Sequence, residues 1–207
     1  MATIRFKLAS EDEEFEQIHR LNHRTFAEEI PQRPRQPDLR LVDRFHSENR
    51  YIIGVEESRV VAMVALRGRR PFSLDEKLPD LDSHIPPGSH PCEIRLLAIE
   101  REVRGRGVFV GLLGRLADEF IRSGYDLALA SGTVRQQRLY AHLGFVPFGP
   151  RVGSQEALFQ PMSLRLESFR KRADSLLSRV PHLSCLSRKH AVRREVMAPQ
   201  ILGQDEE

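Results

Sequence analysis

Tryptophan is absent from this 207-residue chain, and aromatic residues make up only 7% of it. A chain so poor in flat side chains lacks the stacking platforms that single-stranded nucleic acids need, and no recognition motif accompanies its basic C-terminal region. We therefore expect no nucleic-acid partner. Cysteine is equally scarce. Cys92 and Cys185 stand far apart, which excludes both a disulfide framework and a zinc site and suits a reducing cytoplasm. No apolar run approaches eighteen residues, so no transmembrane segment is expected. The first residues alternate like a strand and turn acidic by residue 11, unlike a secretory leader. Neither charge dominates: 32 basic residues face 29 acidic ones, for a net charge of +3. A Walker lysine and internal repeats are also missing.

What is present fits one domain of ordinary size, with 40% hydrophobic residues to fill a core. Thr3 to Leu8 alternates as a half-buried strand. Ser10 offers a helix cap before a stripe of Phe15, Ile18, Leu21 and Phe26 that must end by Pro31. Pro31 to Pro37 is a loop, and Asp38 to His46 has the spacing of a second short helix. Tyr51–Val55 and Val60–Leu66 form a hairpin around Glu56, Glu57 and Ser58. Gly68 to Pro91 is long and irregular, as lids and binding loops are. Strand Cys92–Ile99, helix Val108–Ser123, strand Leu127–Ala130, helix Gln136–Leu143 and strand Phe145–Phe148 follow. A last strand, Phe159–Leu166, turns Met162, Leu164 and Leu166 inward. Residues 1–166 are expected to form the domain. Residues 167–207, with Arg170, Lys171, Arg172 and Arg179, read as a basic helix and a tail.

The segment Cys92 to Phe145 carries the chemistry. Gly105 and Gly107 in an Arg-Gly-Arg-Gly turn, just before a helix start, leave several backbone N–H groups unpaired. Those donors and the helix dipole favour an anion, and a phosphate is the obvious guest. A second strand-helix unit ends in Leu139, Tyr140, Gly144 and Phe145, with Leu139 and Leu143 expected to face inward. The turn comes too late in the chain for a dinucleotide fold, which places it after the first strand.

This order of elements resembles the GNAT acyltransferase superfamily, through Arg104, Gly107 and the Leu-Tyr-x-x-x-Gly-Phe unit. The resemblance implies an α/β fold with a mixed, mostly antiparallel sheet, splayed at the strand that binds the cofactor. It implies that Arg104, Gly105, Arg106, Gly107 and Val108 hold the pyrophosphate of acetyl-CoA or another acyl-CoA, while the backbones of Leu97, Ala98 and Ile99 pair with the pantetheine. Phe109 stands where the superfamily has Gly or Ala, Thr133 where it often has Asn, and Gln136 where it has a small residue. Residues 20–32, together with Asp43, Phe45, His46, Glu93 and Arg95, resemble the autoinducer synthases and long-chain N-acyl amino acid synthases. That similarity makes Arg24, Phe26 and Arg95 candidate substrate contacts.

Acyl transfer to an amine needs a neutral nucleophile and a protonated leaving thiolate. A lysine-like amine, with a pKa of about 10.4, is neutral about once in a few thousand molecules at pH 7, so a positioned base matters. Glu93 is the candidate base, with Glu100 as fallback; an ion pair of Glu93 with Arg95 or Arg24 is the structural alternative. Strand alternation puts Glu93, Arg95, Leu97 and Ile99 on one face and Cys92, Ile94, Leu96 and Ala98 on the other. By the resemblance, Tyr140 protonates the thiolate, while His142 faces solvent. The expected activity is N-acetyl or other short acyl transfer to a small amine or amino acid, with no metal. Two alternatives stand beside it: long-chain transfer from acyl carrier protein, whose acidity would suit Arg101, Arg104, Arg106 and Arg115, and a non-catalytic acyl-CoA sensor. Oligomeric state is open, a homodimer included.

Overall fold

The computed structural model describes residues 3–154, 157–168 and Lys171; the expected basic helix and tail otherwise lie outside the described residues. One eight-stranded sheet organises the chain, in the order β1-β2-β3-β4-β5-β8-β6, with β7 also on β8. The strands are β1 (Ile4–Leu8), β2 (Arg50–Glu56), β3 (Arg59–Arg67), β4 (Pro91–Ile99), β5 (Leu127–Thr133), β6 (Val146–Pro147), β7 (Val152–Ser154) and β8 (Ala157–Arg165). All neighbours run antiparallel except β4 and β5.

Alternation along the strands sends successive side chains to opposite faces, and each face acquires its own helices. One face packs against α4 (Val108–Arg122), whose Leu112, Leu116 and Phe120 meet Ile52, Val64, Cys92, Ala128 and Ala130. On the other, Ile18 and Leu21 of α1 (Asp12–His23) meet Ile53, Met63 and Ala65. Further along that second face, α2 (Ser73–Lys77) and α3 (Leu81–His84) bury Leu74, Leu78 and Leu81 against Leu127 and Leu129. The stretch Gly68 to Pro91, expected to be irregular, thus contains two short helices anchored by leucines. α5 (Gln137–Leu143) follows β5 through a 3₁₀ turn.

Several expectations need correction. The α1 cap is Glu11 rather than Ser10, because the Glu14 carboxylate accepts the backbone N–H groups of both Ser10 and Glu11 and starts the helix one residue later. α1 then widens into a π-wound segment, Arg24–Glu29. Asp38 to His46 does not form a helix. Leu39 sits at φ 56° and, like Val42, points to solvent, and helical winding begins only at His46–Glu48. The apolar spacing there was real, but Phe45 serves as a platform for cations. Leu139 is exposed, while Leu143 is buried; α5 is too short and too near the sheet edge to bury both.

The most consequential correction lies in β4. Ala65 pairs with Arg95 and Met63 with Ala98, so Val64 alone faces both Leu96 and Leu97. Leu96 takes up the extra residue at φ 53°. A non-glycine residue in the left-handed region costs about 1–2 kcal/mol and persists only where packing demands it. Beyond the bulge the faces exchange. Leu97 and Ile99 join Cys92 and Ile94 on the α4 side, whereas Leu96 and Ala98 join the α1 side with Glu93 and Arg95.

Candidate active site

β4 and β5 are paired only over Pro91–Glu93 and Leu127–Leu129. Past that point the strands part: Ala98 and Ile99 keep their ladder to β3, Leu97 lies in the bulge, and none of the three pairs with β5. The wedge opens into a cavity of about 440 Å³ lined from both faces of the sheet: Ile94, Leu97 and Tyr140 on the α4 side, Ser73, Lys77, Ser131 and Arg95 on the other. An extended guest entering here can pair with the free edge of β4 as an added strand would.

The glycine turn follows the unpaired end of β4, after a 3₁₀ turn at Arg101–Val103. Gly105 and Gly107 adopt φ 84° and 75°, and a side chain built on either would meet nothing within 4 Å, so space lies open over the turn. Val108 is buried and begins α4, and Phe109 packs partly against the α4-side core. Arg104 donates to the Ile99 carbonyl at 3.0 Å and holds Glu29 with two hydrogen bonds of 2.6 and 2.8 Å. That pair keeps the Glu29 carboxyl below its ordinary range. Arg106 is bonded to Glu56 at 2.7 Å. Both arginines therefore carry carboxylate partners across the turn.

Tyr140 reaches the cavity from α5, with its ring edge-on to Phe145 at 5.3 Å. Its place depends on Gly132: a methyl group there would come within 2.5 Å of the Tyr140 ring. Burial pushes the phenol up to about 12, so it stays protonated at neutral pH, and its hydroxyl bonds to no described residue. Gln136 lines the same wall, and the Thr133 hydroxyl donates to the Gln136 amide oxygen at 3.2 Å. His142 is exposed, with Nδ1 3.1 Å from the Arg138 carbonyl.

Glu93 is fully buried and does not line the cavity. One of its oxygens accepts the Ser73 N–H at 2.8 Å and the other the Ser73 hydroxyl at 2.5 Å, while Arg95 Nε lies 3.5 Å away. Arg95, in turn, is held by Asp43 through two hydrogen bonds of 2.9 and 3.1 Å. Phe45 completes the group, with the guanidinium carbons of Arg67, Arg44 and Arg95 at 3.9, 4.4 and 4.8 Å from its ring centre. The chain 41–46 thus fastens onto the central strand by charge and by cation–π contact. Arg24 does not reach Glu93. It pairs with Glu100, whose side chain is largely covered by that contact rather than free at the strand end. Phe26 lines the cavity beside Arg95.

Lys77 is the residue that sequence reasoning passed over. Its ammonium donates to the Ser131 hydroxyl at 3.0 Å and stands 4.5 Å from the centre of the Phe159 ring. Burial pushes it below the ordinary lysine range; Arg95, Arg33 and Arg44 add to that effect and Glu93 opposes it. Ser73 and the fully buried Arg67, which bonds the Pro71 carbonyl, were missed as well. A lysine in a loop-like stretch has no periodicity to mark it. The only signal was its place in an irregular segment long enough to be functional.

The sequence profile described as Acetyltransferase (GNAT) family matches residues 15–145. No curated protein matches the sequence significantly. Among solved structures, the chain is similar to the CoA-dependent acyl-homoserine lactone synthase BjaI with SAM and isopentyl-CoA, at 22% identity and a TM-score of 0.69 over 85% of this chain and 90% of that one. It is also similar to FeeM, an N-acyl amino acid synthase from uncultured soil microbes, at 12% identity and a TM-score of 0.66, covering 83% and 96% of the two chains. A putative N-acetyltransferase from Lactobacillus plantarum is 14% identical with a TM-score of 0.58, over 79% and 99%. At these identities the likeness concerns the fold.

Proposed function

The chain belongs to the acetyltransferase (GNAT) family, and on that premise we propose that it transfers an acyl group from acyl-coenzyme A to the amine of a small molecule or amino acid, by direct attack in a ternary complex. The observation that carries this reading is the parting of β4 from β5 between an open glycine turn and an unbonded Tyr140 hydroxyl. The turn offers its N–H groups and helix end to a pyrophosphate. The free edge of Leu97, Ala98 and Ile99 takes the pantetheine, which leaves the thioester beside Tyr140.

In the reaction, the amine nitrogen bonds to the thioester carbon and the carbon–sulfur bond breaks. Tyr140 gives its proton to the departing sulfur and regains one from the acylated nitrogen through solvent. Its raised pKa keeps it protonated across the working range. Glu93 acts as a positioning residue. It fixes Ser73 and Arg95, and Arg95 with Phe26 forms the acceptor wall; the base that frees the amine then lies outside the buried Glu93 carboxylate. Alignment of amine and thioester can supply about 7–11 kcal/mol of the barrier, so this scaffolding counts for more than any single base.

A second reading is favoured by the Asp43–Arg95–Phe45 group, which coincides with the autoinducer-synthase-like segment of the sequence. It is acylation of an amino-acid-derived amine with a longer chain, drawn from CoA or from acyl carrier protein. Thermal stabilisation and turnover with acetyl-, octanoyl- and palmitoyl-CoA, and with carrier-protein thioesters, separate the two. Short-chain preference supports the first and long-chain or carrier preference the second. Tight binding without turnover leaves a sensor, and binding of none removes the phosphate-turn argument.

A further inference from the structure

The cavity has a charge that its own walls leave unanswered. Four cations line it: Arg33, Arg44, Lys77 and Arg95. Asp43 and Glu93 neutralise Arg95, and Glu76 holds Arg44 at 2.6 Å. Arg33 is exposed on the rim. Lys77 is different. It is half-buried, its ammonium touches only a hydroxyl and an aromatic ring, and among the described residues no carboxylate pairs with it. A partly desolvated ammonium is costly unless an anion answers it. An alkyl chain laid against it would make the cost worse, whereas a carboxylate would relieve it with a charge-assisted hydrogen bond.

Its position says where that anion sits. Lys77 reaches from α2 across to Ser131 on β5, just past the last β4–β5 pair at Glu93 and Leu129. This is the closed end of the wedge, on the face opposite Tyr140. Tyr140, Arg95 and Phe26 line the same cavity, so both a thioester beside Tyr140 and an acceptor beside Arg95 have a route to this end.

We propose that Lys77 and Ser131 form a carboxylate-recognition point at the closed end of the wedge, so that the protein handles a guest with a carboxylate placed there. This rests on the acyl-CoA reading above. The carboxylate has two sources: the far end of a short dicarboxylic acyl group on the donor, or the acid group of an amino-acid acceptor.

The test is equilibrium binding by calorimetry. Free CoA, succinyl-CoA and the near-isosteric butyryl-CoA are compared, and then α-amino acids against their α-amides at saturating CoA, for the wild type, Lys77→Met and Ser131→Ala. A charge-assisted contact in a partly desolvated site predicts about a ten- to hundredfold preference for the carboxylate-bearing member of one pair. That preference collapses to about one in Lys77→Met and weakens in Ser131→Ala. Preference in the donor pair assigns the carboxylate to the acyl group; preference in the acceptor pair assigns it to the amine. Equal affinities in both pairs, or a preference that survives Lys77→Met, overturn the proposal while CoA binding leaves the donor reading intact. Should Lys77→Met fail to fold, the wild-type ratios and Ser131→Ala still decide. If neither CoA nor its thioesters bind, the donor reading falls and this proposal with it.

Discussion

Replacing Gly132 by alanine would put a methyl carbon 2.5 Å from Cε2 and 2.8 Å from Cδ2 of Tyr140, and 2.9 Å from the terminal carbon of Met162. Met162 ends in a flexible methyl that can swing aside. The tyrosine ring stands edge-on against Phe145 and can yield only toward the cavity that it lines, out of its present place. Overpacking of this kind costs about 1–3 kcal/mol, and the lower chain entropy of alanine in the unfolded state returns about 0.4–1. A net loss of about 1–2 kcal/mol corresponds to a Tm about 2–8 °C lower for a domain of this size. Calorimetric melting of a double-mutant cycle isolates the cause. In a Tyr140→Ala background the clashing ring is gone, so Gly132→Ala should be neutral or slightly stabilising; in Tyr140→Phe the ring remains and the full loss should persist. Because the displaced ring carries the proposed acid, kcat should fall about as far as in Tyr140→Phe. The same Tm loss in both backgrounds, or a kcat within twofold of wild type, would refute the placement of Tyr140 against Gly132.

Other outcomes follow from the same geometry. Tyr140→Phe removes one general acid, for which a kcat loss of about 10²–10⁴ with an unchanged Kd for CoA is expected; equal turnover would remove the tyrosine from the mechanism. Asp43→Ala takes two charge-assisted hydrogen bonds from Arg95 and leaves Glu93, 3.5 Å away, as its remaining carboxylate, so it should cost about 1.5–3 kcal/mol in denaturant unfolding; adding Arg95→Met should enlarge the loss, because the buried Glu93 then loses its ion-pair partner. Gly107→Ala places a side chain at φ 75°, at a cost of about 1–2 kcal/mol, and should weaken CoA binding as the turn distorts; unaltered affinity would argue against the turn as phosphate cradle. Burial raises Tyr51 and Tyr140 to about 12 from the ordinary 10. A raised folded-state pKa contributes stability that is complete below the unfolded value and lost as pH climbs through the folded one. The stability difference between wild type and Tyr51→Phe, read from urea titrations, should therefore be constant below pH 10 and shrink between pH 10 and 12, by up to about 3 kcal/mol.

Much of this was written locally in the chain. Gly105 and Gly107 declared the turn because no other residue adopts positive φ there at low cost, and the alternating Tyr51–Leu66 hairpin announced itself through β-branched side chains and a polar corner. Tyr140 was legible because the strand, turn and helix around it lie within one contiguous stretch. Among the described residues no helix is long and apolar enough to cross a membrane.

What the sequence could not determine is what depends on register and on distant partners. Strict alternation placed Leu97 with Glu93, but one residue of slack at Leu96 moved everything beyond it to the other face, since a strand's side-chain period is two and any single insertion inverts it. Glu93 read as a base until folding brought Ser73, twenty residues away, onto both of its oxygens. Asp38 to His46 had helical spacing, yet Arg67 and Arg95 from two strands, with the adjacent Arg44, made Phe45 worth more as a platform than as part of a helix. Lys77 looked like one more loop lysine until the parting of β4 from β5 put a cavity in front of it. Local chemistry and periodicity determined the elements and the glycine turn. Which charges meet, and which is left facing an empty space, was decided only by tertiary structure, because burial and pairing are properties of neighbours that the chain brings together from far apart.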